Sequence, residues 1–60
     1  MNKYMYVEVH LKEQTFPIVH EHAINAYTKG LLYCVYCEDG VVYKYPIQNI
    51  FRVIEGYAKK

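Results

Sequence analysis

The stretch Cys34-Val35-Tyr36-Cys37 places two thiols three positions apart, a spacing shared by zinc half-sites and redox pairs. The intervening Val-Tyr is typical of a strand, on which side chains alternate between two faces, so the thiols point to opposite faces. Their Cα atoms then lie on the order of 10 Å apart, whereas a disulfide needs them within about 7 Å. We therefore expect two small buried hydrophobic groups rather than a reactive pair.

Three histidines are the remaining candidates for metal chemistry. His20 and His22 form an H-x-H pair whose rings share a face on a regular strand, and His10 is the third imidazole in the chain. Three such nitrogens suit zinc. The sequence favours the other interpretation, in which all three are polar residues on a solvated face, so no cofactor is expected.

Composition excludes several catalytic designs. The chain has no serine and a single aspartate, Asp39, which rules out a serine triad and a paired-aspartate site. Sixty residues also leave little room for a ligand pocket of about 300 Å³ or more. We expect a single domain over residues 1–60 that is not an enzyme.

Charge and hydropathy predict where in the cell the protein resides. Seven basic residues balance six acidic ones, and they are scattered rather than gathered into the basic stripe that nucleic acids require. No apolar run of about 20 residues predicts a membrane span. Glu8 and His10 interrupt any secretory apolar core near the start. These features predict a cytoplasmic protein that does not associate with membranes.

Apolar residues recur mostly with a period of two, which predicts strands. Alternation marks a first strand over residues 4–11, and Pro17 limits residues 15–19 to an edge, a bulge or the start of a strand. Residues 20–28 fit either two turns of helix or a strand, and we favour the strand because so short a helix is marginal. Further strands are predicted over 31–38, 41–45 and 50–55. The predicted core is Val7, Val9, Leu11, Ile24, Val35, Ile50 and Val53.

Asp39-Gly40 between two strand-forming runs predicts a two-residue type I′ hairpin turn. This register pairs Tyr36 with Tyr43. It places one apolar set on one face, namely Leu32, Cys34, Tyr36, Tyr43 and Tyr45. A second set lies on the other face, namely Leu31, Tyr33, Val35, Cys37, Val42 and Lys44. Since neither face is clearly polar, both need to be covered.

The segment YKYPIQNIFRVIE, residues 43–55, joins two strands through one proline-initiated turn, which we expect to be a 3₁₀ turn. This local plan resembles small SH3-like barrels. The acidic loop and the tryptophan that SH3 domains use for proline-rich ligands are absent, so the resemblance implies a fold and no binding residues. We expect an all-β protein with one short helical turn, built as a small antiparallel sheet or an SH3-like partly open barrel of about five strands.

A core this small commonly needs a disulfide, a metal or a second subunit. With the first two disfavoured, we predict a homodimer or higher oligomer that also binds another protein as an inhibitor, adaptor or regulator, of the kind that phages and mobile elements encode. Tyrosine suits such contacts, and we place Tyr33, Tyr36, Tyr43 and Tyr45 there. Two alternatives stay open: binding of single-stranded nucleic acid by surface tyrosines, and binding of zinc by histidine and cysteine.

Overall fold

The computed structural model describes residues 4–57 and shows a mostly antiparallel β protein. Its elements are β1 (Met5–Leu11), β2 (Ile18–Lys29), β3 (Leu32–Cys37), β4 (Val42–Pro46), the 3₁₀ turn η1 (Ile47–Asn49) and β5 (Ile50–Tyr57). The strands form one sheet in the order β4-β3-β2-β1-β5. The predicted all-β fold of five strands with one helical turn is therefore confirmed, including strand structure over residues 20–28.

The long strand β2 bends because it carries two bulges. Its pairing with β1 passes from Val7–His20 to Met5–Ala23, which leaves two residues of β2 opposite one of β1. A second shift follows against β3, between Ala23 and Asn25. Bulges increase strand twist and bending. The first half of β2 therefore stays with β1 and β5, the second half stays with β3 and β4, and the two halves of the sheet curl over one another.

The core lies between these two halves of the sheet. Its buried cluster consists of Val7, Val9, Ala23, Tyr33, Val35 and Cys37. Of the predicted core, Val7, Val9 and Val35 are fully buried; the half-buried members packed against the cluster include Leu11, Ile50 and Val53. The prediction for Ile24 was wrong: it is 49% exposed, because the paired bulges turn Ala23 into the core instead.

The β3–β4 turn differs from the predicted type I′ turn. The amide of Gly40 donates to the carbonyl of Cys37 (3.0 Å), and Gly40 alone in this turn has a positive φ, of 86°. This is a type I turn followed by a left-handed glycine, which makes a three-residue loop. Because type I′ needs positive φ at both central residues and Asp39 does not adopt it, the register shifts by one. Tyr36 pairs with Val42, and Tyr43 moves to the other face.

The turn η1 is hydrogen-bonded to the β2–β3 turn and to the end of β1. Pro46 precedes it, and the amide of Ile47 donates to the carbonyl of Leu31 (2.9 Å). The amide of Lys12 donates to the carbonyl of Asn49 (2.8 Å), which joins η1 to the end of β1. Within residues 4–57 no ladder pairs β4 with β5, so the sheet is open there. Over the same residues, no helix has the length and hydropathy needed to cross a bilayer.

Candidate interaction surface

The β3–β4 hairpin presents different side chains to the core and to the outside. Residues paired directly across an antiparallel ladder share a face. The inward set is Tyr33, Val35, Cys37, Tyr43 and Tyr45; the outward set is Leu32, Cys34, Tyr36, Val42 and Lys44. Of the four tyrosines predicted at a partner contact, only Tyr36 points outward. The predicted face for Tyr43 and Tyr45 was wrong because it followed from the type I′ register.

Two of the inward tyrosines join the halves of the sheet. The hydroxyl of Tyr33 donates to the carboxylate of Glu55 on β5. Burial, followed by this hydrogen bond and the charge of Glu55, raises the pKa of Tyr33. The hydroxyl of Tyr45 lies 2.8 Å from Nε2 of His20. Tyr33 and Tyr45 thus have defined contacts within the chain, and their hydroxyls bridge strands that are not neighbours in the sheet.

His20 lies at the centre of the only group of side chains in residues 4–57 that resembles a thiol–imidazole pair. Its Nδ1 is 3.9 Å from Sγ of Cys37, and its ring centroid is 4.7 Å from that of Tyr43. Burial lowers the pKa of His20. Burial and the nearby charge of Asp39 raise the pKa of Cys37. A nucleophilic thiol needs the opposite, a lowered pKa beside a charged imidazole, so these groups suit a neutral packing contact.

The cavity beside His20 is small and open to solvent. It has a volume of about 240 Å³ and lies where β2 passes the β3–β4 turn. Carboxylates supply part of its wall, from Glu21, Glu38 and Asp39. Glu38 is already engaged by the hydroxyl of Tyr4 at 2.6 Å.

The bulge in β2 separates His20 from His22, and the third histidine lies on β1. His20 points into the core, whereas His22 packs edge-on against the ring of Tyr4, with centroids 5.0 Å apart. His10 lies on the outer face of the other half of the sheet, with Nε2 3.6 Å from the carboxylate of Glu8. Across residues 4–57, no three histidine, cysteine or acidic side chains are grouped in a way that could hold a metal ion.

The two cysteines lie on opposite faces, as the strand spacing predicts. Cys37 belongs to the core cluster, and Cys34 pairs with Tyr27 on one side and Lys44 on the other. Both are free thiols and both are buried. Cys34 is fully buried although it points outward, because it lies on an interior strand between the long side chains of Tyr27 and Lys44.

The outward side chains that cover Cys34 include an apolar group, which we name the outer patch: Tyr27, Leu32, Tyr36 and Val42. The polar residues Asn25, Lys29 and Lys44 share this face. Tyr27 and Tyr36 are 39% and 38% exposed. At one end the patch continues into a groove of about 370 Å³ beside Leu31 and Ile47. Leu31 is 83% exposed. Sequence reasoning did not assign Tyr27 or Val42 to this surface. The register that a three-residue loop imposes would have placed Val42 there, whereas Tyr27 depends on the pairing of β2 with β3.

The other half of the sheet has a more polar outer face. There Glu8 pairs with Ile54 and His10 pairs with Arg52. The hydroxyl of Tyr6 donates to Glu8 at 3.3 Å. The outer patch is therefore the more apolar of the two outer faces.

Comparison of the chain with protein-family models, with curated proteins and with solved structures found no match.

Proposed function

We propose that this chain is a small non-enzymatic protein-binding module that acts as a homo-oligomer and serves as an inhibitor, adaptor or regulator. The observation that carries the proposal is the outer patch, a group of apolar side chains contributed by three neighbouring strands to one face of the sheet. Extended apolar surfaces on small proteins mark contacts with other macromolecules. The aromatic members supply large apolar area and a hydroxyl that tolerates water, as interfaces require.

The distribution of large side chains supports the same conclusion. The largest side chains that are fully buried are only valine and cysteine: Val7, Val9, Cys34 and Val35. Larger apolar side chains, including Tyr27, Tyr36 and Leu31, remain more than a third exposed. Burying apolar area contributes about 25 cal/mol per Å². A second chain on the outer patch would therefore add stabilisation that a core of small side chains lacks.

Light scattering during size-exclusion chromatography tests self-association. The expected mass is a multiple of the chain mass of 7.2 kDa. Tyr36→Ser should dissociate the oligomer, because it removes an aromatic ring from the outer patch. Tyr57→Ser is the matched control: Tyr57 is 71% exposed on β5, away from the patch, and its loss should leave the mass unchanged. A mass of 7.2 kDa that persists at high concentration would contradict self-association.

Binding to single-stranded nucleic acid is the rival activity, since tyrosines on a sheet can stack on bases. A labelled oligonucleotide titrated at several salt concentrations distinguishes the two. The protein-binding proposal predicts no saturable binding at physiological salt. Tight binding that weakens steeply as salt rises would favour the rival.

A further inference from the structure

We infer that the free edge of β5 takes up an extended segment of a partner protein as an added strand, with an acidic side chain of that segment facing Arg52. The inference extends the proposed protein binding to a second surface, apart from the outer patch, and it does not depend on self-association. It follows from the difference between the two edge strands of the sheet and from the charge that lies on one of them.

The two edges of the sheet, β4 and β5, differ in their capacity to accept another strand. The strand β4 is five residues long, carries the charged Lys44 and ends at Pro46, which has no amide hydrogen. Short length, lysine and proline are features that discourage pairing at an edge. The strand β5 is eight residues long and contains neither lysine nor proline. It is therefore the edge better suited to a further strand.

The main chain of β5 offers a regular row of hydrogen-bonding groups. Its pairing with β1 is continuous from Arg52 to Tyr57, and the irregularity in register lies before Arg52. In an antiparallel ladder alternate residues direct their amide and carbonyl to the neighbouring strand, so the residues between them direct theirs outward. Within residues 4–57, β1 is the only strand that pairs with β5. Extended peptides bind such edges through main-chain hydrogen bonds.

Arg52 determines which charge the added strand should carry. It is exposed, and its guanidinium carbon lies 5.8 Å from the centroid of the Phe51 ring, a contact that favours one position of the cation. Over the part of the chain that the structure describes, Arg52 forms no ion pair. Its cross-strand neighbour on β1 is His10, which brings no negative charge. Since opposite charges directly across a ladder stabilise it, an acidic residue fits the position facing Arg52.

The positions next to Arg52 favour apolar side chains on the added strand. Ile54 shares the outward face with Arg52 and is 40% exposed, so a neighbour on an added strand would cover apolar area. Val53 lies between them and packs against the core cluster from the inward face. The segment that fits this edge therefore has an acidic residue opposite Arg52 and β-branched residues opposite Val53 and Ile54.

A synthetic peptide tests the inference: one glutamate, flanked on each side by two valines and then two threonines, with both ends blocked. The symmetrical design presents the glutamate and the valines in either strand direction. Isothermal titration calorimetry measures the dissociation constant. Arg52→Glu should raise it about fivefold, because an attractive pair becomes a repulsive one. A peptide with lysine in place of the glutamate should instead bind Arg52→Glu about fivefold more tightly than the wild type.

Lys29→Glu is the matched control, because it makes the same charge change at the end of β2, which is not an edge strand. It should leave the dissociation constant of the glutamate peptide unchanged. Melting curves show that each variant is folded.

Methylating the peptide amides at every second position tests main-chain pairing separately from charge. The two possible sets of positions place the methyl groups on opposite edges of the bound strand, so one peptide should lose binding and the other should keep it. Hydrogen exchange measured residue by residue should show that the unmethylated peptide slows exchange at alternate amides of residues 52–57.

The contrary results are distinct from one another. No binding of the glutamate peptide at about 1 mM, or equal binding of both methylated peptides, overturns strand addition. Equal binding of the glutamate peptide by the wild type and Arg52→Glu overturns the acidic partner. Slow exchange at every amide of β5 in the free chain shows that the edge is already occupied, by a second copy if the protection rises with concentration. The mass of Tyr36→Ser tests the outer patch independently, so this inference and the proposed function can fail separately.

Discussion

At the scale of single residues, the chemistry-bearing side chains are used for packing. His20 is enclosed by Tyr43, Tyr45 and Cys37, and its partner at Nε2 is a hydroxyl rather than a carboxylate. Burial lowers its pKa from the ordinary value of 6.5, so the ring is neutral in the folded chain near neutral pH. The burial that lowers this pKa makes the residue sensitive to acid.

Stability should fall as the pH drops below 6.5. The unfolded chain takes up a proton at His20 near that value, whereas the folded chain takes it up only at lower pH, so protonation favours unfolding. One proton limits the slope to about 1.4 kcal/mol per pH unit. Urea unfolding at a series of pH values from 7.5 to 5 measures it.

His20→Gln should flatten that pH dependence. The exposed His22→Gln is the matched control and should leave it in place. If the free energy of unfolding changes with pH equally steeply in the wild type and in His20→Gln, then His20 is not the group responsible.

At the scale of elements, the turn between β3 and β4 decides which tyrosines face outward. The alternation of apolar residues predicts both strands, but a shift of one position in the register exchanges the faces of β4. The side chain of Asp39 accepts a hydrogen bond from the amide of Val41 at 3.0 Å, which stabilises the three-residue loop. Glycine is required at position 40, where φ is positive.

Gly40→Ala should destabilise the fold by about 1–2 kcal/mol, because an alanine in the left-handed region carries that cost. Gly56→Ala is the matched control. Gly56 lies in β5, its φ is not positive, and an added Cβ would meet no atom within 4 Å. It should be neutral or stabilise by up to about 1 kcal/mol. Thermal unfolding compares the two, and equal losses would contradict the assigned turn.

The bulges in β2 lead to a second prediction at the scale of elements, concerning Ala23 and Ile24. Ala23 is fully buried and its neighbour Ile24 is 49% exposed. Ala23→Leu should therefore cost about 1–3 kcal/mol by overpacking the core. Ile24→Thr should stay within about 0.5 kcal/mol, as most surface changes do. Denaturant unfolding measures the free energy of unfolding of both variants. A large loss of stability in Ile24→Thr would show that Ile24 belongs to the core.

At the scale of the whole molecule, the sequence predicts features set by a few consecutive residues better than features set by the pairing of distant strands. The alternation in β1, the proline before η1 and the β-branched and aromatic residues of β5 are each visible in a few consecutive residues. Where the bulges of β2 fall depends on both neighbouring strands at once, so Ile24 was misplaced. The outer patch depends on the turn register and on Tyr27 from β2, which adjacent residues do not reveal.

The pairing of β1 with β5 also predicts an order in which the chain acquires its structure. Residues near opposite ends form this ladder, as in Met5 with Tyr57 and Val9 with Val53. Contacts between distant residues form late, since a long loop must close first. During synthesis the β3–β4 hairpin can form once both of its strands have left the ribosome. The strand β1 can then pair with β2, but its ladder with β5 can form only after β5 has emerged. Until β5 emerges, one side of β1 lacks its ladder partner, and a nascent chain halted before residue 50 should be sensitive to proteolysis.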